Sequence, residues 1–446
     1  MKSPFTSVHQ KKYFFNTSWL IADKVVRIFA NLIVGVVVVR YLGPENLGLL
    51  NYAVAAIFIF QPFANLGLGD IVIRELVKND GREKEILGTA MLTRLLGGLF
   101  VLSIVILFNF LTEYGDDSYP LILITSCLLL VQSTDLIDRY FQAKLKSKLN
   151  VKASLTAMLI TSVLKLLMVY FAMPVLYFVI IYVLDFVIIS LLLIYFYLKQ
   201  EGRLNLEFNR AIAMEYLKLS WPLIISGLMV VAYMRIDQLM IKEILGVPAL
   251  GNFSAAIKLS EAYYFLPIVI TSSLYAAIIN GKNMGEAVYN ARMQKLFDML
   301  TWISLPAALV ISLIAEPLVP ILYGNKYSPE VGTVLAIHIW ASVIVFWGNA
   351  SNKWLIIENM PRYITINTTL GCIVNIMLNL LLLPVMGIKG AAISTLAAQF
   401  TAVCIGPLLF KKSRRVLVIM FGSLNIVRVG KVALNTAGRI LNKNQN

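Results

Sequence analysis

The sequence is poor in the residues that build metal and disulfide sites. Only two histidines and three cysteines occur in 446 residues, and Cys127, Cys372 and Cys404 lie in apolar stretches without paired spacing. Disulfides, thiolate-bound metals and a catalytic cysteine are therefore not expected. His9 and His338 are too few for a zinc cluster built on histidines. No GxxxxGK[ST] motif occurs either, so direct use of ATP is not expected.

Charged residues are also scarce. They make up 14% of the chain and apolar residues 59%, and the mean hydropathy is +0.78. Soluble domains carry about 25% charged residues, so the bilayer is the expected solvent. Apolar windows of about 20 residues recur, each long enough to cross roughly 30 Å of hydrocarbon, whereas the alternating segments of a membrane barrel do not occur. The sequence predicts an all-α polytopic membrane protein.

About twelve membrane-spanning helices are predicted. They cover about 18–40, 47–69, 86–110, 120–139, 153–173, 175–198, 219–241, 250–279, 296–315, 331–357, 363–383 and 387–410. Loops on one side hold 27 of the 39 Lys and Arg residues, and loops on the other side hold four. Positive loops face the cytoplasm, so both termini are predicted to be cytoplasmic. The net charge of +15 is assigned to these loops and not to a nucleic-acid site.

One short turn occurs twice. RYLGPENLGLLNYA (40–53) and EILGVPALGNFSAA (243–256) align at an offset of 203 residues, and both follow a long apolar segment. A glycine in the left-handed conformation caps a helix, and a proline just beyond it cannot continue that helix. Six predicted spans separate the two turns, so both run in the same direction. The pattern predicts a tandem duplication: two six-helix bundles related by pseudo-two-fold symmetry.

This organisation divides the chain into four parts. Residues 1–198 are predicted to form the N-terminal six-helix lobe, 199–218 a cytoplasmic linker and 219–410 the C-terminal lobe. Residues 411–446 form a basic cytoplasmic tail whose uninterrupted apolar part, about 12 residues, is too short to span a membrane. A helix lying on the anionic inner leaflet is expected there, and a thirteenth span is the alternative.

Ionisable residues inside the predicted spans are the main pointer to function. Each costs at least about 2.5–3.5 kcal/mol at a helix centre, so each is expected to face a cavity or a partner. The cations are candidates for binding an anionic head group: Lys24, Arg27, Arg94, Lys165, Arg235 and Lys258. The acids are candidates for ion pairing or for a coupling cation: Asp23, Asp185, Asp237 and Glu261. Asp185 is expected to pair with Lys165 on the adjacent helix or to bind that cation.

Local ion pairs are the structural alternative for several of these residues. Asp23 lies four residues before Arg27, and Lys258 lies three before Glu261, spacings at which side chains meet on a helix. Arg94 has no opposite charge three or four residues away. Arg94 and Lys165 are therefore the stronger candidates for an anion path.

Two uncharged patterns add candidates for sugar contacts. Asn367, Gly371, Asn375 and Asn379 recur every four residues and form one polar helix face. Trp347 is the middle one of three tryptophans spaced by seven. Interhelical hydrogen bonding and core packing are the structural alternatives for the asparagines and the tryptophan.

Two stretches carry a family resemblance. NTSWLIADKVVRIFANLIVGVVVVRYLGPENLGLLNYA (16–53), followed by NLGLGDIVIREL (65–76), resembles the N-terminal signature of bacterial polysaccharide or O-antigen flippases. SWPLIISGLMVVAYMRIDQLMIKEILGVPALGNFSAAIKLSE (220–261) resembles the start of that family's second half. The resemblance covers most of residues 13–410. The family belongs to the multidrug, oligosaccharidyl-lipid and polysaccharide exporter superfamily.

The resemblance implies a fold and a substrate. It implies a V-shaped two-lobe transporter, not an enzyme, that moves undecaprenyl-pyrophosphate-linked oligosaccharide units by alternating access. The direction is from the inner to the outer leaflet of the bacterial cytoplasmic membrane, for O-antigen (lipopolysaccharide) or other surface polysaccharide. Expected partners are the lipid-linked oligosaccharide and membrane lipid, with a polysaccharide polymerase and a chain-length regulator as further candidates. No cofactor is expected, and the coupling ion, H⁺ or Na⁺, stays open.

Two other functions compete with the flippase. A cation-coupled exporter of small amphipathic molecules is expected to have an acidic intramembrane site, whereas the set here is mildly basic. A membrane enzyme of the polysaccharide pathway is expected to carry catalytic groups on a substantial outer loop. The longest predicted outer loop, around 316–330, has about 15 residues.

Overall fold

The structure is a computed structural model that describes residues 8–79, 81–111, 118–202 and 206–425, with side chains from residue 26 onward except at 28, 29, 31, 109–111 and 276. The described backbone is helical almost throughout and contains no strand. Its helices are α1 Val8–Asn65, α2 Leu68–Lys78, α3 Glu83–Leu111, α4 Ser118–Ser126, α5 Leu128–Val131, α6 Asp135–Ala143, α7 Lys148–Tyr170, α8 Val175–Glu201, α9 Arg210–Leu245, α10 Val247–Ser260, α11 Phe265–Asn283, α12 Glu286–Tyr323, α13 Glu330–Ile357, α14 Pro361–Met386, α15 Ile388–Phe400 and α16 Arg414–Gly422. Tighter or wider helical turns follow at Gln132–Thr134, Thr401–Ile405 and Gly406–Leu409.

Eleven segments of the described chain are long and apolar enough to cross a membrane. The first, Leu32–Lys78, contains a break at Gly43, where φ is 72° and ψ is 178°. The predicted spans at about 18–40 and 47–69 therefore lie on either side of this break. Helices rise 1.5 Å per residue, so the 27 residues of α8 extend roughly 40 Å, more than the hydrocarbon thickness. The predicted all-α, multi-pass fold is confirmed.

The chain divides into two compact units. The first unit contains residues 1–255 and 320–328, and the second unit contains residues 256–319 and 329–446. The first core includes Leu68, Val72, Leu87, Leu136 and Phe141. The second core includes Tyr289, Phe297, Leu300, Phe346 and Trp354. The division falls after the linker predicted at 199–218, and the lobe boundary at that linker stays a prediction.

The two repeated turns pack against each other within the first unit. Gly43 and Gly246 adopt the same unusual backbone conformation, with φ of 72° and 90° and ψ of 178° and 173°. A Cβ atom at Gly48 would lie 2.9 Å from Cγ1 of Val247 and would overlap its carbonyl oxygen. A Cβ atom at Gly251, the counterpart of Gly48, would overlap the carbonyl oxygen of Pro44. Because Pro44 and Val247 also correspond, the contact is reciprocal, as a duplicated pair requires.

The segment 320–328 anchors the connection between α12 and α13 to the first unit. The Tyr327 hydroxyl donates a 2.7 Å hydrogen bond to the carbonyl oxygen of Val39, and the Tyr323 hydroxyl donates one of 3.3 Å to that of Ala255. Burial raises the pKa of Tyr327 above its ordinary value, so this hydroxyl keeps its proton at neutral pH. Both tyrosines are buried, and residues 320–328 are part of the first unit.

The predicted linker 199–218 is mostly helical where it is described. Helix α8 continues to Glu201 and α9 begins at Arg210, which leaves residues 202 and 206–209 as described non-helical residues between them. The assignment of residues 199–218 as a cytoplasmic linker stays a prediction.

Asn209 fastens this connection to α3 and caps α9. Its side-chain oxygen accepts hydrogen bonds from the backbone N–H groups of Ala211 (2.9 Å) and Ile212 (3.3 Å). Its side-chain amide donates to Glu85 at 2.7 Å, and its backbone N–H donates to the Thr89 hydroxyl at 2.9 Å. Helices begin with four N–H groups that lack intrahelical partners, and Asn209 satisfies two of them.

We expect Asn209→Ala to lower the free energy of unfolding by about 1–2 kcal/mol, the usual cost of an N-cap. Thermal unfolding of the purified protein and limited proteolysis around residues 199–210 measure the effect. Asn352→Ala, at an exposed position on α13, is the matched control. It should change neither the unfolding midpoint nor the rate of proteolysis around residues 199–210. Equal behaviour of the two variants contradicts the capping role.

Helix α16 forms part of the second core. Val416, Leu417, Ile419 and Met420 are all buried there. One face of this segment is therefore covered by protein, and the interfacial position of the tail helix stays a prediction. Residues 426–446 of the predicted tail lie outside the described residues.

Candidate functional site

A polar cavity of about 290 Å³ lies inside the first unit. Its wall comes from α1, α3, α5, α6, α7, α8 and the turn at Gln132–Thr134. The polar lining residues are Arg27, Gln61, Asn65, Arg94, Gln132, Thr134, Asp135, Asp138, Asn150, Ser154 and Ser190. All of these residues except Arg27 belong to segments that can span a membrane. Polar groups at membrane depth typically line a pathway or a binding site.

Arg94 is the most buried cation of this cavity. The residue is 4% exposed, and its guanidinium donates through Nε (3.0 Å) and Nη2 to the side-chain oxygen of Asn65. Nη1 has no hydrogen-bond partner among the described residues. Buried arginines are normally fully paired. Arg94 therefore brings an unpaired donor, Nη1, to a residue that lines the cavity.

Local backbone geometry brings Asn65 to Arg94. Asn65 ends α1, and the next two residues, Leu66 and Gly67, both have positive φ angles (52° and 61°) that turn the chain into α2. Gly97 lies one turn after Arg94 on α3, where a Cβ atom would be 2.9 Å from the Leu66 side chain. The glycine thus permits the close approach of α3 to this turn.

Asp135 links two arginines at the cavity wall. Its Oδ2 lies 3.6 Å from Nη2 of Arg94 and 3.7 Å from Nη2 of Arg139, which is four residues further along α6. Both distances exceed those of well-formed charge-assisted hydrogen bonds, about 2.7–2.9 Å. Asp135 is 39% exposed at its side chain. The arrangement leaves Arg94 only loosely neutralised.

Arg27 and Asp185 form the tightest ion pair at this site. Nη2 of Arg27 lies 2.9 Å from Oδ2 of Asp185, and Nη1 donates to the Ser154 hydroxyl at 2.8 Å. The other carboxylate oxygen of Asp185 accepts from the Thr161 hydroxyl at 3.0 Å. Lys165 or a coupling cation as a partner of Asp185 stays a prediction, and the ion pair described for Asp185 is the one with Arg27. The residues lie 158 positions apart, so sequence spacing could not reveal the pair.

The other predicted cations do not line this cavity. Lys165 on α7 is partly exposed. Arg235 lies over the ring of Phe58 at 5.7 Å, a cation–π contact in the first unit. Lys258 is exposed in the second unit. The side chain of Lys24 lies outside the described residues.

The predicted acids are dispersed in the same way. Asp237 is buried in the first unit, where its carboxylate accepts a 2.8 Å hydrogen bond from the backbone N–H of Gln238. Glu261 is partly exposed in the second unit. The predicted pair of Asp23 with Arg27 involves a side chain that is not described, and the pair of Lys258 with Glu261 stays a prediction.

The net charge of the cavity differs from the sequence-based expectation. Its lining contains two arginines, Arg27 and Arg94, and two aspartates, Asp135 and Asp138. The described lining is therefore charge-balanced, whereas the intramembrane residues predicted a basic chamber. The expectation counted the charged residues of all predicted spans together. The fold instead brings acids and bases from different helices to the wall of one cavity.

The candidate sugar contacts lie in the second unit. Asn367, Asn375 and Asn379 are buried on α14, and Asn379 donates to the side-chain oxygen of Asn375 at 3.1 Å. Trp347 is 6% exposed in the second core, and its indole N–H donates to the Thr301 hydroxyl at 2.8 Å. The prediction that Trp347 offers a stacking surface for sugar is wrong, because neighbouring side chains cover the ring. A contact of the asparagines with sugar stays a prediction.

Neutral polar residues are the part of the cavity that sequence reasoning missed. Gln61 donates to Gln132 at 2.8 Å, and Thr134 donates to Ser190 at 2.6 Å. The spacing of Gln61 and Asn65 by four residues was an available signal, since it places two amides on one helix face. Among the described residues, no group of three or more His, Cys, Asp or Glu residues is placed to hold a metal ion.

The chain is all-helical where it is described, with a polar cavity among helices that can span a membrane. A family model described as polysaccharide biosynthesis protein matches residues 37–332, about two thirds of the chain. The protein belongs to this family. Comparison with curated protein sequences gives no match.

Solved structures with the same fold are transporters. The lipid II flippase MurJ in an inward closed conformation is 14% identical with a TM-score of 0.70, covering 93% of this chain and 92% of that chain. An inward-facing multidrug resistance MATE family transporter of the MOP superfamily is 16% identical with a TM-score of 0.64, covering 88% and 95%. A MOP superfamily transporter from Pyrococcus furiosus, described as having a binding pocket of reverse polarity, is 14% identical with a TM-score of 0.61, covering 91% and 96%. At these identities the likeness establishes the shared fold.

Proposed function

We propose that this protein is a flippase for undecaprenyl-pyrophosphate-linked oligosaccharide units. It moves them from the inner to the outer leaflet of the bacterial cytoplasmic membrane by alternating access, for O-antigen or other surface polysaccharide. Membership of the polysaccharide biosynthesis family supports the substrate class. The fold shared with a protein named as a lipid II flippase supports the reaction type.

The observation that carries the proposal is the free guanidinium nitrogen of Arg94 in the first-unit cavity. Arginine binds phosphate oxygens through parallel N–H groups, and Arg27 lines the same cavity. At about 290 Å³ the cavity is at the lower end of ligand pockets. It suits the pyrophosphate and one sugar, while the lipid tail stays in the bilayer. The surrounding amides and hydroxyls suit sugar hydroxyl groups.

The charge distribution supports an orientation for transport. The excess of Lys and Arg on one set of loops, 27 against four, favours cytoplasmic termini. An inside-negative potential of about 100 mV favours outward movement of each negative charge by roughly 2.3 kcal/mol. A pyrophosphate with about two negative charges gains roughly twice that, so the potential assists export whether the coupling ion is H⁺ or Na⁺. In this proposal a polysaccharide polymerase and a chain-length regulator use the product.

We expect Arg94→Gln to slow flipping of lipid-linked oligosaccharide by at least about tenfold, because a hydrogen bond to a charged group is worth about 1.5–3 kcal/mol. Arg94→Lys keeps the charge but loses the bidentate geometry and should be intermediate. Flipping is measured in proteoliposomes, and accumulation on the inner leaflet is measured in cells. Arg74→Gln on α2, an exposed arginine outside the cavity lining, is the control. A folded Arg94→Gln protein with normal flipping contradicts the proposal.

The acids of the cavity lining favour a second candidate, a cation-coupled exporter of small amphipathic molecules. Asp135 and Asp138 give the cavity two carboxylates, which suit a cationic substrate. Deletion of the gene separates the two functions. Loss of surface polysaccharide with normal drug tolerance supports the flippase, and the opposite pattern supports the exporter.

A further inference from the structure

Helix α16 and the turn before it form a second site of interest, on the second unit. Within the described chain, the last segment that can span a membrane ends at Leu409, and α16 begins five residues later at Arg414. So short a connection keeps α16 within a few residues of the end of that span. The helix therefore lies at the boundary between membrane and water, independently of what the protein transports.

One face of α16 is fixed to protein. The hydroxyls of Thr301 and Ser423 are hydrogen-bonded at 2.7 Å, and the indole N–H of Trp302 donates to the backbone oxygen of Ser423 at 3.1 Å. Gln294 donates to the backbone oxygen of Ile419 at 2.9 Å. With the buried residues named above, these bonds attach α16 to α12. The helix is a folded part of the unit, and its orientation is determined.

The opposite face is basic and apolar. Lys411, Lys412, Arg414 and Arg415 are all exposed. Two of them are used within the protein, since Arg414 donates to the backbone oxygen of Leu408 at 2.8 Å and Arg415 pairs with Glu286 at 2.9 Å. Neither Lys411 nor Lys412 forms an ion pair within the described part of the chain. Val418, Phe421 and Leu424 are 75%, 46% and 42% exposed along the same helix and its end.

We propose that the exposed face of α16, with Lys411 and Lys412, is a binding site for acidic phospholipid head groups. Basic residues next to a membrane attract anionic lipid, and apolar side chains on the same helix insert at the boundary of the acyl chains. The two lysines hold the phosphate groups, and Val418 and Phe421 contact the upper acyl chains. Because α16 is bonded to α12, bound acidic lipid stabilises the second unit.

Thermal unfolding of the full chain in neutral detergent, titrated with phosphatidylglycerol or phosphatidylcholine, tests this site. Phosphatidylglycerol should raise the unfolding midpoint of the native sequence, and phosphatidylcholine should not. The variant Lys411→Gln/Lys412→Gln should need at least about tenfold more phosphatidylglycerol for the same shift, since each basic residue contributes about fivefold to binding at an anionic surface. Lys78→Gln/Lys199→Gln, which removes two exposed lysines of the first unit, is the matched control and should titrate normally.

Two results overturn the proposal. The first is an equal shift of the unfolding midpoint with phosphatidylglycerol and with phosphatidylcholine, because the proposed site requires an anionic head group. The second is an unchanged titration of the Lys411→Gln/Lys412→Gln variant. The midpoint of each variant without lipid confirms that the chain is folded.

Discussion

Replacing Gly251 by alanine is expected to cost at least about 3 kcal/mol of stability, at the upper end of the overpacking range, and to abolish most of the folded protein. A Cβ atom there would overlap the carbonyl oxygen of Pro44, and a backbone atom cannot rotate away as a side chain can. The two repeated turns would have to separate. Small residues allow such close backbone approach in membrane helices. The yield of monodisperse protein in detergent and its unfolding midpoint measure the effect.

Two further variants make this prediction specific. Gly48→Ala places a methyl group against Val247 in the reciprocal contact and should be about as harmful. Gly35→Ala, where nothing lies within 4 Å of the added atom, should be neutral or stabilise by up to about 1 kcal/mol, since alanine is the better helix former. If Gly251→Ala and Gly35→Ala behave alike, the turns do not pack as described.

Breaking the pair of Arg27 with Asp185 is expected to have the second largest effect. Asp185→Asn leaves Arg27 without its carboxylate, and removing one partner of a buried ion pair costs about 3–5 kcal/mol. We expect a value near about 3 kcal/mol because the Arg27 side chain is 27% exposed, which places it at the lower end of that range. Chemical unfolding in detergent and flipping in proteoliposomes are the two readouts.

The double variant Arg27→Gln/Asp185→Asn separates structure from transport. Replacing both charges by neutral amides should restore most of the stability lost in Asp185→Asn. If Arg27 binds the pyrophosphate, flipping should stay at least about tenfold slow, since a hydrogen bond to a charged group is worth about 1.5–3 kcal/mol. Normal flipping by the stable double variant assigns Arg27 a structural role. Arg82→Gln, which breaks an exposed pair with Glu85, is the control and should cost at most about 1 kcal/mol.

The polar groups of the cavity show what the spacing of residues along the sequence could predict and what it could not. Arg94 was predicted as a cavity cation because no opposite charge lies three or four residues away from it, and it does line the cavity. Its partners Asn65 and Asp135 lie on other helices, so no local spacing could identify them. Trp347 shows the converse: its periodic spacing suited a surface, but Thr301 and the second core enclose its ring.

The sequence by itself determined that the chain spans a membrane, that it is helical and that one turn occurs twice. Apolar length and glycine conformation are local properties, so about twenty apolar residues predict a span and a glycine before a proline predicts its end. Only the tertiary structure decided which charged side chains form ion pairs. It also decided that the cavity of the first unit is lined by equal numbers of acids and bases, and that the two turns pack against each other reciprocally. Each residue turns a helix by about 100°, so a small rotation moves a side chain from a cavity to lipid. That rotation depends on packing between distant helices.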